Sequence, residues 1–148
     1  MHSDGKYLKD LWCEAPGTSN NPRLSKKILD EGKHLPYMNG REVFKNAIVR
    51  FPQVIQEALD TNNLTIDDVA QIIPHQANNR ISEAVARRMG VSMDKVFSNI
   101  KNYGNTTAAS IPIAMCDARD KGLYGPDDII ILAAFGAGFT WASAAIRW

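Results

Sequence analysis

Val69 to Ile73 form a short apolar run that stops at Pro74, and a helical pattern follows almost at once. Ile81, Ala84, Val85, Arg88 and Met89 fall at helix spacing. A buried strand feeding a helix needs cover on the faces of a sheet, which restricts the chain to layered arrangements. A second apolar run, Ile129 to Ala134, is unbroken by polar residues, as expected for a strand covered on both faces. Strand and helix runs alternate and no internal repeat is visible. The expected fold class is α/β, with a mixed sheet layered with helices, and 148 residues suit one domain.

His75 stands at the junction of the first strand and its helix. Sheets covered by helices bind and react at that edge. A histidine there either satisfies a turn or donates a ring N–H to an oxygen gaining negative charge. A helix amino terminus nearby would disfavour the imidazolium and favour that neutral donor. The local pattern leaves both readings open.

Other segments read in order. Residues 13–40 are loop-like, broken by Pro16, Gly17, Pro22, Gly32, Pro36 and Gly40. From 41 to about 61 one apolar stripe includes Val43, Phe44, Ala47, Phe51, Ile55 and Leu59, with Pro52 inside it; a kink or two abutting helices are expected. Thr65 with Asp68 is close to a capping box. Gly90 should cap the helix that follows His75. Val96 to Ser98 is a short strand candidate. The segment from about 107 to 121 is apolar nearly all round and is expected to be buried centrally, with Cys116 in the core. Thr140 to Trp148 reads as the last strand.

A net charge of +1 implies neither a nucleic-acid nor a membrane partner. No apolar run reaches membrane-spanning length. No metal-ligand spacing or phosphate-binding glycine loop is present, so no metal and no cofactor are expected. Cys13 and Cys116 make no disulfide framework, and the opening Met1 to Lys6 lacks the apolar core of a signal peptide. The expected compartment is the cytoplasm.

Pro74-His75-Gln76-Ala77-Asn78, then Gly104-Asn105-Thr106-Thr107-Ala108-Ala109-Ser110-Ile111-Pro112, then Phe135-Gly136-Ala137-Gly138-Phe139-Thr140-Trp141 occur in that order. Together they resemble the carboxyl-terminal half of the β-ketoacyl-acyl-carrier-protein synthase III family, thiolase-fold condensing enzymes. The resemblance runs from His2-Ser3-Asp4-Gly5 to Trp148. It implies a decarboxylative Claisen condensation in fatty acid biosynthesis, joining an acyl-CoA starter to malonyl-carrier protein. His75 and Asn105 match the family's two side-chain donors for the enolate. The third group, a nucleophilic cysteine, belongs to the family's first half. Neither Cys13 nor Cys116 matches its context. The chain is therefore expected to be cut, and inactive alone.

The remaining assignments also come from the resemblance. Ala137 replaces a glycine in the turn whose backbone N–H helps form an oxyanion hole. Asn78 matches a contact to the pantetheine arm, and Phe44 and Phe135 match residues lining its tunnel. Arg41 stands where the family often has asparagine near coenzyme A. Arg80 matches a basic residue that docks the acidic carrier protein. Expected partners are the acyl carrier protein, the missing amino-terminal half, and a second copy in a homodimer of the full enzyme. Two alternatives stay open: a free-standing half that binds a partner chain or carrier protein without catalysis, and a related condensing enzyme making polyketides or quinolones.

Overall fold

The computed structural model describes residues 1–148. Its main sheet has four strands in the order β1-β6-β5-β4: β1 His2–Ser3, β4 Val69–Pro74, β5 Ile129–Gly136 and β6 Thr140–Arg147. β4 runs parallel to β5, and β5 antiparallel to β6, so the sheet is mixed. A small second sheet pairs β2, Leu11–Trp12, with β3, Tyr37–Met38. The segment expected to be loop also holds a short helix, α1, Lys26–Asp30, capped by Ser25.

The two faces of the sheet follow from the pleat, which sends alternate side chains to opposite sides. Along β5, Ile129, Ile131, Ala133 and Phe135 enter one core and Ile130 enters the other. The larger core is covered by α2, Gly40–Thr61, and α3, Asn79–Met89. On α2 the buried residues are Ala47, Phe51, Val54, Ile55 and Leu59, one stripe at helical spacing. α2 continues through Pro52 as a single helix; the packed stripe runs on both sides of the proline. The smaller core joins Ile73, Phe97, Ala114, Ala118, Tyr124 and Ile130.

Helix ends are fixed locally. Gly90 adopts a left-handed conformation at φ 70°, and the N–H groups of Gly90 and Val91 return to the last turn of α3. Thr65 and Asp68 form the full capping box. α4 is the short turn Ile100–Tyr103, and α5 spans Ser110–Asp120.

Three expectations need correction. Val96 to Ser98 is not a strand: only Val96 makes a bridge, to Ile72, because the chain turns away at once. α5 is not buried all round. Only Ser110, Ala114 and Ala118 are buried, since the sheet covers one face of the helix and no element of the chain covers the other. Cys116 lies on that open face and is exposed.

Candidate active site

His75 follows the last residue of β4, and its backbone N–H still donates to the Ala133 carbonyl at 2.8 Å. That bond extends the β4–β5 ladder by one residue and fixes where the ring starts. The helix after it begins later than the sequence suggests. Asn78 is the cap of α3, its side chain accepting from the Arg80 N–H at 3.0 Å. His75 therefore lies outside the first turn of α3, and the helix dipole is not what tunes it. Burial is: the ring is half-buried, and desolvation of the charged form lowers its pKa from the ordinary histidine value.

A histidine whose folded pKa lies below its unfolded value binds fewer protons when folded. Its contribution to stability is complete above the unfolded value of about 6.5, and it is lost as pH falls through the folded value. A histidine NMR titration should place the His75 midpoint below the ordinary histidine value, and stability should fall with acidification in that window. A midpoint at or above 6.5, the ordinary histidine value, would contradict the account.

The ring is held at one nitrogen. His75 Nδ1 lies 2.6 Å from Ser110 Oγ, at the start of α5. The neighbouring Gln76 is 2% exposed and fully bonded. Its Nε2 donates to Pro74 O at 2.7 Å and to Phe97 O at 3.3 Å, and its Oε1 accepts from the Asn99 N–H at 3.0 Å. Asn99 Nδ2 donates in turn to Asp117 on α5 at 2.9 Å. A buried polar chain thus ties the end of β4 to the segment that leads into α4 and to α5. Ser110 and Gln76 were not singled out from sequence. The available signal was polarity inside two segments otherwise built for burial.

Asn105 follows Gly104, which takes a positive φ of 68° and turns the chain out of α4. The Asn105 side chain then folds back on its own loop: Oδ1 accepts from the Thr107 N–H at 2.9 Å. This assigns the amide. Its oxygen is engaged, and Nδ2 is the face left for another molecule. The side chain is exposed, so that face is accessible.

His75 and Asn105 line one cavity of about 530 Å³, together with Phe135, Gly136 and Ala137. Three separate stretches of sequence thus meet at one site. Phe135 is 8% exposed and packs near Phe51 and Phe139 in the larger core, so it is a rigid wall. Ala137 borders the cavity in the β5–β6 turn, and its carbonyl accepts from Thr140 Oγ1 at 2.9 Å. The residue of this turn with positive φ is Gly138, at 135°. Ala137 is accommodated because the glycine-only conformation falls on the next position. A Cβ on Gly138 would sit 2.8 Å from Thr140 Cγ2. Gly138→Ala should therefore cost about 1–3 kcal/mol of stability in a denaturant titration. Ala137→Gly should cost no more than about 1 kcal/mol. Equal effects would refute this division of roles.

The other candidates lie outside the cavity lining. Asn78 is exposed and spends its oxygen on the cap of α3. Phe44 is half-buried against the larger core, with the Arg80 guanidinium 5.9 Å from its ring. Arg80 and Arg41 are exposed, Arg41 in the first turn of α2.

The chain is similar to known proteins in sequence and in fold. Residues 59–148 fit the family described as 3-oxoacyl-[acyl-carrier-protein (ACP)] synthase III C terminal. A β-ketoacyl-[acyl-carrier-protein] synthase III from Roseiflexus castenholzii is 45% identical over 148 residues, covering all of this chain and 44% of that protein. One from Nitratidesulfovibrio vulgaris is 42% identical over 158 residues, covering 98% of this chain and 47% of the relative. The crystal structure of a β-ketoacyl-[acyl carrier protein] synthase III from Thermus thermophilus superposes with a TM-score of 0.84 at 39% identity, over 99% of this chain and 44% of the other. The chain thus spans about half the length of the relatives it matches.

Proposed function

Since this chain belongs to the 3-oxoacyl-[acyl-carrier-protein] synthase III family, with the family's thiolase-like fold, we propose that it supplies the enolate-stabilising half of a decarboxylative condensing site. The observation that carries this reading is the convergence of His75 and Asn105 on one cavity, each with one polar atom already engaged inside the chain. His75 Nδ1 faces Ser110 and Asn105 Oδ1 faces Thr107, so the opposite nitrogens remain for a substrate oxygen.

The family supplies the chemistry, and this geometry fits it. A malonyl thioester enters the cavity and loses carbon dioxide. The electrons of the broken C–C bond pass to the α-carbon and are shared with the thioester oxygen. Two N–H donors stabilise the negative charge there, and one such donor typically lowers a barrier by about 3 kcal/mol. A neutral imidazole suits the task, and burial shifts His75 toward that form. The carbanion then attacks an acyl group held on cysteine, forming the new C–C bond and releasing the thiolate. That cysteine comes from the part of the relatives this chain does not span. The starter is an acyl-CoA, the extender malonyl-carrier protein, and no cofactor takes part.

The remaining parts fit the same reading. Arg80, exposed beside Phe44, docks the acidic carrier protein, and Arg41, Phe44 and Asn78 lie along the approach of the pantetheine arm. The Ala137 N–H serves the oxyanion of the acyl-cysteine. The open face of α5, with Cys116 exposed and Ile113 only partly buried, is where the cysteine-bearing half packs, and the full enzyme is a homodimer. Exposed apolar surface of this kind finds a partner. Light scattering on the isolated chain should show self-association that disappears when the complementary half is added. A monodisperse monomer at high concentration would count against that packing.

Co-expression with a cysteine-bearing first half, assayed for acyl-CoA and malonyl-carrier condensation, tests the function. Activity only in the reassembled pair supports it. A well-folded pair that neither condenses nor decarboxylates would overturn it.

A further inference from the structure

We propose that Ser110 is a positioning residue that sets the tautomer of His75, holding the ring hydrogen on Nε2 so that the donor faces away from α5. The use of that hydrogen in catalysis rests on the function proposed above, whereas the tautomer itself does not.

Ser110 is 2% exposed, so its hydroxyl must find its partners inside the protein. Its Oγ has two neighbours: the Gln76 backbone N–H at 3.3 Å and His75 Nδ1 at 2.6 Å. The Gln76 N–H can only donate, so it takes one acceptor position on Oγ. The hydroxyl's single hydrogen then has Nδ1 as its acceptor. If Nδ1 carried the ring hydrogen instead, Oγ would accept twice and its own buried O–H would be left without a partner. Leaving such a group unmade is strongly disfavoured. Nδ1 is therefore the acceptor, and the ring hydrogen sits on Nε2.

Gln76 keeps this arrangement in register. Its side chain is bonded to Pro74, Phe97 and Asn99, so its backbone N–H cannot drift from Ser110. The position also explains a polar residue at the start of α5 in an otherwise apolar stretch. Ser110 reaches across 35 residues of sequence to one ring nitrogen.

Long-range ¹H–¹⁵N correlation spectra of the ¹⁵N-labelled full chain above the His75 midpoint read the tautomer directly, with His75 assigned by the loss of its signals in His75→Gln. The wild-type ring should appear as the Nε2–H form. Ser110→Ala should raise the Nδ1–H population by about tenfold, the equivalent of one net hydrogen bond, and Ser110→Thr should restore the wild-type pattern. If Ser110→Ala fails to fold by circular dichroism, Ser110→Cys, a weaker donor of similar size, should give an intermediate mixture. An Nδ1–H ring in the wild type, or unchanged populations in the folded variant, would overturn the proposal. Loss of decarboxylation in the reassembled enzyme with the Nε2–H pattern intact would count against the proposed role of His75 and leave the role of Ser110 standing.

Discussion

Asn105→Ala, introduced into the chain reunited with a cysteine-bearing first half, is expected to slow malonyl-carrier decarboxylation by about 10²–10³-fold. His75→Ala should do the same. Asn105 has two possible duties, and one further substitution separates them. Its Oδ1 organises the loop through the Thr107 N–H, while Nδ2 is the proposed donor. Asn105→Asp keeps an acceptor for Thr107 and removes the donor, placing a negative charge where the enolate must form. If Asn105 only shapes the turn, the aspartate variant should retain most of its activity. If it stabilises the enolate, Asp should be at least as damaging as Ala. The double variant of His75 and Asn105 should lose less than the product of the single losses, because groups that act on one oxygen act as a unit.

Phe51→Ala is expected to cost about 3–5 kcal/mol of folding stability, the range for removing a large buried aromatic. Phe51 is 2% exposed at the centre of the α2 stripe. Its ring lies 6.5 Å from that of Phe135, which forms part of the cavity wall. Typical domains have only about 5–15 kcal/mol to lose, so the variant should be marginally folded at best. Phe51→Leu keeps most of the volume and should lose markedly less. Denaturant unfolding of both variants reads this directly. A loss below about 1 kcal/mol for Phe51→Ala would mean that α2 does not pack on β5 as described.

Much of this architecture could be read from the residue pattern, for identifiable reasons. The unbroken apolar run at Ile129 has the composition of a strand covered on both faces, and β5 sends side chains into both cores. The stripe on α2 and the glycine at the end of α3 are local signals with local causes. Two of the corrections, for α5 and Cys116, share an origin. Apolar residues show that a surface is compatible with burial but not what covers it, so α5 and Cys116 were placed in a core that the chain forms on one side only. Proximity of His75 to a helical pattern suggested a dipole effect, yet the cap at Asn78 puts the helix start beyond its reach, and burial acts instead.

The site was legible in a similar, uneven way. His75, Asn105 and Ala137 were each named from sequence, and the structure gathers them at one cavity. The family's motif order carried that reading, since nothing in the spacing of residues 75, 105 and 137 dictates a meeting point. The supporting network of Gln76, Asn99, Ser110 and Asp117 was not legible. Its bonds join positions 18 to 35 residues apart, and only the folded chain brings such partners together. Asn78 shows the converse: its amide oxygen is committed to a local hydrogen bond that caps α3, which leaves Nδ2 as the group for any ligand contact.

A crystal structure of the reassembled enzyme with a non-decarboxylating malonyl thioester analogue would show where the thioester oxygen is held. His75 Nε2 and Asn105 Nδ2 should each lie about 2.7–3.1 Å from that one oxygen. An analogue bound in the cavity with that oxygen beyond reach of either nitrogen would contradict this placement.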